Sequence, residues 1–392
     1  DRHVWLDKFT IRNLELIHSP HDKAKTLIEV IDKTISPMGA RLLKRWLVLP
    51  LKDLKPIEER QQMVEWLLKN SELCQKIQQQ LKQIGDLERL VSKVAIRKIS
   101  PRETVHLKKS LLAIQPVKEI CENSGNETLT MLAEQLNLCQ VIVQKIEETL
   151  VADAPALISK GNAINDGINT DLDYLRNISK TGKDALTEIQ KHESDRTNIP
   201  SLKVGFNNVF GYYIEVTNAH KSKVPEEWIR KQTLTNAERY VTPELKKYEE
   251  EILGADEKIL ALEEKIFTDL IADVAGYIKP IQINAAVLAR LDCLQSFATI
   301  AEQNNYVKPH LNEGDIIDIK DGRHPVLEQQ MPLGESYIAN DIYLDSNTQQ
   351  IIIITGPNMS GKSALLRQTA LITLLAQTGS FVPAKSAEIG LV

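Results

Sequence analysis

Ile351-Ile352-Ile353-Ile354-Thr355-Gly356-Pro357-Asn358-Met359-Ser360-Gly361-Lys362-Ser363 decides the fold of the C-terminal part of the chain. Four consecutive isoleucines predict a buried strand. A Gly-x-x-x-x-Gly-Lys-Ser loop follows at once, and Leu365, Leu366, Thr369, Leu371, Ile372 and Leu375 then fall at helical spacing. Strand, glycine-rich loop and helix in this order are the context in which a loop cradles phosphate. The glycines let the backbone curl until its N–H groups converge, and the helix start adds its partial positive charge. Lys362 would reach the β- and γ-phosphate oxygens as a point charge, and the Ser363 hydroxyl would ligate Mg²⁺. ATP with Mg²⁺ is therefore the expected cofactor, held by Gly356, Pro357, Asn358, Met359, Ser360, Gly361, Lys362 and Ser363. Hydrolysis in this class also needs a later strand ending in an acidic residue. Too little chain follows Ser363 to supply it, so these residues alone are expected to bind nucleotide weakly and not to hydrolyse it.

Working back from the loop, Ile316–Ile319, Pro325–Leu327 and Ile342–Leu344 predict strands, which places a domain boundary near 310. Short helices precede it, from Ala285 to Ala301. Two long helices, 171–196 and 243–278, flank a stretch where the period changes. Leu202, Val204 and Phe206 alternate there, as do Tyr212, Ile214 and Val216, with turn signals at Asn207, Asn208 and Gly211. A small antiparallel sheet at the tip of a helical hairpin follows. Its local charge turns basic: Lys203, Lys221, Lys223, Arg230, Lys231, Arg239, Lys246 and Lys247 outnumber Glu215, Glu226, Glu227, Glu238 and Glu244. Such a tip is either solvated surface or a phosphate-contacting one, since Lys, Arg and neutral donors bind DNA backbones without reading sequence.

Residues 1 to about 17 suggest short extended pieces. From Leu27 to about Leu150 the pattern is helical, with helices near 71–84, 86–98, 101–113 and 127–151. The expected fold class is mainly α: a helical core and lever with long antiparallel helices, the small β tip, and a partial α/β P-loop domain. The net charge of −5 excludes a strong overall attraction to nucleic acid, so any DNA partner must use a local patch. Four dispersed cysteines and eight histidines show no disulfide framework and no metal-ligand spacing. No signal peptide or membrane-length apolar run is present, which suggests the cytosol. The chain opens without Met, and Gly390-Leu391-Val392 resembles the start of a strand. A piece of a longer protein is expected.

Thr355 to Ser363, together with Arg367-Gln368-Thr369-Ala370 and Gly379-Ser380-Phe381-Val382-Pro383-Ala384, closely resembles the MutS mismatch-repair ATPases. So do the segments Thr34–Leu47, Gly85–Arg89, Asn208–Val216, Lys231–Leu245 and Gly322–Pro325, so the likeness covers the whole chain. It implies core and lever helices over 1–195 and 247–309, a DNA clamp over 196–246, and a truncated P-loop ATPase over 310–392. Lys203, Asn207, Asn208, Lys221, Lys223, Arg230 and Lys231 would contact duplex DNA through its backbone. Tyr337 matches the position that stacks on adenine in this family, and Asn358 would help position the γ-phosphate. Arg323 and His324 would brace the domain. Ser360 stands where many members have Gly. The family's mismatch-reading domain would precede Asp1, and the rest of the ATPase and the dimerisation region would follow Val392. The whole protein would be a nucleoid-associated homodimer working with a MutL-type partner. The competing expectation is a helical DNA-binding or structural scaffold, from a MutS-like paralogue without mismatch-repair activity.

Overall fold

The computed structural model describes residues 3–19, 24–332, 334–357 and 361–392. Its helices in chain order are α1 (Lys8–Asn13), α2 (Leu27–Ile31), α3 (Pro37–Val48), α4 (Leu54–Lys69), α5 (Ser71–Leu81), α6 (Leu87–Ala95), α7 (Pro101–Leu112), α8 (Ile114–Glu122), α9 (Glu127–Gln135), α10 (Gln140–Thr149), α11 (Thr170–Thr197), α12 (Pro243–Ala275), α13 (Ile278–Asn304) and α14 (Lys362–Thr378). Strands β1 (Lys203–Asn207), β2 (Gly211–Thr217), β3 (Ile229–Thr233) and β4 (Ala237–Val241) lie between α11 and α12. Strands β5 (His310–Asn312), β6 (Ile317–Gly322), β7 (Asn340–Leu344) and β8 (Ser386–Gly390) lie around α14. The chain is mainly helical and divides into two compact units. One comprises 1–95, 109–139 and 277–392; the other comprises 96–108 and 140–276.

In the first unit α13 is the central rod, packed by α3, α4, α5, α6 and α9. It is buried on nearly every side, including Leu288, Leu291, Leu294 and Phe297. Burial of polar groups requires partners, and each of its buried polar side chains has them. Asp292 accepts from Ile35 N at 2.9 Å, Ser36 N at 2.7 Å and Ser36 Oγ at 2.6 Å. Gln295 donates to the Lys33 carbonyl and Ser296 to that of Ile31. Asn284 clasps Asn137 through both its carbonyl and its amide, at 2.8 and 2.7 Å. Gly39 sits so close to Asp292 that a Cβ there would overlap the carboxylate. The sheet of this unit has the order β5-β8-β6-β7, parallel at β5/β8 and antiparallel elsewhere.

In the second unit α11 and α12 pack along their lengths. Gly182 admits the Ile252 side chain. Glu263, fully buried, is neutralised by Arg176 at 2.6 Å and accepts from the Asn162 and Ala163 amides. Strands β1 to β4 form an antiparallel sheet of order β1-β2-β4-β3. Its inner face shares one core with the helix ends: Leu186, Ile189, Ile199, Leu202, Ile214, Val216, Trp228, Tyr240, Leu245 and Ile252.

Five expectations are corrected. Residues 8–13 are helical, not extended, because Asp7 caps the Thr10 amide at 2.6 Å. The helix expected over 127–151 breaks into α9 and α10, where Asn137 is held by Asn284 and Cys139 takes a positive φ. The short helices after 280 are one helix of 27 residues. Pro325–Leu327 is not a strand. His324 Nδ1 accepts from the Val326 and Leu327 amides and turns the chain into a 3₁₀ segment, Leu327–Gln330. Ile351–Ile354 forms no strand and has no ladder partner among the described residues, and Ile351 and Ile353 are 80% and 84% exposed. Only its alternate residues, Ile352 and Ile354, are covered. With Leu365, Thr369 and Leu374 they line an apolar cavity of 610 Å³.

Candidate functional site

The glycine-rich loop leads into α14. Gly356 and Gly361 have φ of 152° and 85°, the second of these a left-handed conformation that favours glycine. Gly361 is the residue immediately before α14, and it supplies no side-chain cap. With no capping side chain among the described residues, the first-turn amides of this 17-residue helix can meet an outside acceptor. Lys362 Nζ donates to the Gly356 carbonyl, so the ammonium lies against the loop. Ser363 is exposed. Pro357 is described, whereas Asn358, Met359 and Ser360 lie outside the described residues. These features suit an anion: a left-handed glycine, an uncapped helix start and a loop-facing ammonium. A triphosphate would be held by the α14 amides and Lys362, with Ser363 offering its hydroxyl to a metal.

The far end of α14 is closed instead. Gly379 (φ 90°) terminates it, and Arg60 donates to the Thr378 carbonyl at 2.7 Å. A cation at a helix C-terminus complements the dipole. The same guanidinium carbon lies 3.5 Å from the centroid of the Trp46 ring. Burial beside Arg290 lowers the Arg60 pKa to about 9.

Tyr337 is half-buried and donates its hydroxyl to Gln368 Oε1 at 2.9 Å. Gln368 is fully buried on α14, and its Nε2 has no acceptor among the described residues. The aromatic ring is therefore tied to the helix that follows the loop. Arg323 bonds Glu328 at 2.7 Å and the Asn304 carbonyl at 2.9 Å, fastening the end of α13 to the 3₁₀ segment. Burial, with Arg367 nearby, pushes the His324 pKa down to about 4, and a neutral ring is what lets Nδ1 accept two amides.

The seven candidate DNA residues do not form one cluster. Lys203 and Asn207 lie on the edge strand β1, and Asn208 in the turn after it, where Asn207 Oδ1 accepts from Val209 N at 2.8 Å. Arg230 and Lys231 lie on the opposite edge strand, β3, with Lys231 at a bulge. Lys221 and Lys223 occupy the 3₁₀ turn Asn218–Lys223. Lys223 donates to the Asn198 carbonyl at 3.0 Å. Lys221 and Arg230 both meet Glu238, at 2.5 and 3.3 Å. Glu238 is 1% exposed on the central strand β4 and also accepts from the Tyr240 hydroxyl. Lys221, then Tyr240 and Arg230, hold its carboxyl down at about 2. Burial and that hydrogen bond push the Tyr240 hydroxyl up to about 12.

MutS domain III matches residues 9–298, and MutS domain V matches residues 352–392. The chain belongs to the MutS family. It is 60% identical over 392 residues to the DNA mismatch repair protein MutS of Bacteroides fragilis, covering all of this chain and 46% of that protein. The corresponding protein of Bacteroides thetaiotaomicron is 61% identical with the same coverage. That of Flavobacterium johnsoniae is 59% identical, with 45% of its length covered. The chain thus spans a little under half the length of these MutS relatives. The β tip falls inside the MutS domain III match and the glycine-rich loop inside the domain V match, while Tyr337 lies between the two. Two residues escaped the sequence reasoning. Gln368 lies in the Arg367–Ala370 segment but was given no role there, and its role is found only through its contact with Tyr337. Glu238 was counted as one negative charge among many, although its i, i+2 spacing to Tyr240 on a strand was a legible sign of one shared face.

Proposed function

We propose that this chain belongs to a mismatch-repair switch, binding ATP with Mg²⁺ at residues 356–363 and duplex DNA through the β1–β4 tip. The observation that carries this is identity of about 60% along all 392 residues with relatives named DNA mismatch repair protein MutS. The proposed division is core and lever helices over 1–195 and 247–309, the clamp over 196–246, and the beginning of a P-loop ATPase over 310–392. The whole protein would bind mismatched duplex, use ATP binding and hydrolysis to become a DNA-encircling clamp, act as a homodimer and engage a MutL-type partner. Bound nucleotide would supply the charged γ-phosphate end that distinguishes the two states of such a switch. Tyr337 is the proposed adenine platform.

The uncapped start of α14 and the lysine beside it support the nucleotide assignment. Titrating a fluorescent ATP analogue with Mg²⁺ against the chain tests it. Lys362→Ala is expected to weaken binding at least about tenfold, since a charge-assisted phosphate contact contributes roughly 1.5–3 kcal/mol. Equal affinity for both forms would favour the scaffold alternative. For the tip, reversing charge at Lys221 and Lys223 should weaken matched and mismatched duplex equally and flatten the dependence on salt. A change in discrimination between the two duplexes would contradict a backbone-binding clamp.

A further inference from the structure

Simple charge counting sets Glu238 against DNA binding, but its geometry argues the reverse. We propose that Glu238 is a positioning residue that assembles a phosphate-binding pair from Lys221 and Arg230, an inference that rests on the duplex-binding reading of the tip. Both cations reach the same oxygen, Glu238 Oε1, Lys221 Nζ at 2.5 Å and Arg230 Nη1 at 3.3 Å. Their nitrogens can be no further apart than the sum of those distances, within reach of one phosphate group. They arrive from different elements, the 3₁₀ turn and the edge strand β3, separated in the chain by residues 224–228, and Glu238 on β4 meets both. Without the shared acceptor, two long side chains would hold no common position. The carboxylate itself is out of solvent, its second oxygen occupied by the Tyr240 hydroxyl. The two cations remain more than half exposed, at 54% and 57% of their side-chain surface. Lys has three N–H donors and Arg five, so each spends one on Glu238 and keeps the rest for an acceptor outside. The triad carries one net positive charge. The bulge at Lys231 on β3 fits the same role, since bulges re-aim side chains along an edge strand.

The experiment is duplex binding by the 392-residue chain, followed by fluorescence anisotropy with a matched oligonucleotide over a range of NaCl concentrations. Glu238→Gln makes the protein more positive by one charge. If Glu238 merely opposes DNA, the variant binds more tightly. If it assembles the pair, the variant binds about fivefold or more weakly, and the slope of log K against log salt falls by about one. A folding defect would also weaken binding, so the same change is made in a Lys221→Gln/Arg230→Gln background. There Glu238→Gln is expected to cause no further loss, because the pair it organises is gone. Tighter binding by the single variant, or an undiminished loss in the double background, overturns the proposal while leaving the clamp assignment standing. Failure of the unaltered chain to bind duplex at all would instead remove the clamp assignment, and this inference with it.

Discussion

His324 shows how one buried side chain can set the acid limit of a fold. Its ring is 5% exposed and its Nδ1 accepts two backbone amides, which only the neutral form can do. Its pKa falls from an ordinary 6.5 to about 4, with burial the larger cause and Arg367 the second. Between those values the unfolded chain binds the proton and the folded chain does not, so stability rises with pH across that window. The stabilisation is complete above 6.5 and is lost as pH falls toward 4, with a total on the order of 3 kcal/mol. His324→Asn keeps an acceptor near Nδ1 without a titrating group. Thermal melts from pH 7 to 4.5 are expected to show a smaller acid shift for the variant than for the unaltered chain. Equal shifts would mean that other groups set the limit. At this scale the residues of the candidate site were legible as candidates: the two loop glycines, Lys362, Ser363 and Tyr337 are all named from spacing and resemblance. Less legible were the partners of Tyr337, Arg323 and Lys221: Gln368 and Glu328 gain meaning only from through-space contacts, and the spacing of Glu238 to Tyr240 shows a shared face but not the cations it holds.

At the scale of elements, the long helices α11 and α12 and the alternation of β1 and β2 were legible because each has one apolar face and one wet one, whereas β3 and β4 were not read as strands. α13 was not, for the opposite physical reason. A helix covered on all sides has apolar residues around its whole circumference, so no stripe marks its length. Likewise the Ile351–Ile354 run has strand composition, but composition does not supply a pairing partner. The junction of α3 with α13 allows a sharp test. Gly→Ala inside a helix ordinarily stabilises by up to about 1 kcal/mol. At Gly39 the new methyl would overlap the Asp292 carboxylate that holds Ile35 and Ser36. Gly39→Ala is therefore expected to destabilise by about 1–3 kcal/mol, as overpacking does, and to lower the melting temperature. A rise in melting temperature would show that the α3 start can move away from α13.

At the scale of the molecule, two cores share one chain that crosses between them four times, at 95/96, 108/109, 139/140 and 276/277. Composition and period foretold a mainly helical protein. They did not foretell that α7 contributes residues to both units, since a short amphipathic helix carries no label for the core it enters. The polar rungs of α13 add a consequence for how such a chain comes into being. Ile35, Ser36 and Lys33 wait for Asp292, Gln295 and Ser296, partners 256–263 residues later in the chain. At a synthesis rate of about 5–20 residues per second, α2 and α3 stay incomplete for roughly 13 to 50 s after they are made. Throughout that interval α2 and α3 present the apolar surface meant for a rod not yet made, whereas by its end residues 140–276 hold strands β1 to β4 and both long helices of the other core. In the order of synthesis α2 and α3 are thus made long before the rod that completes their core, and the chain depends during that wait on whatever shields their apolar surface.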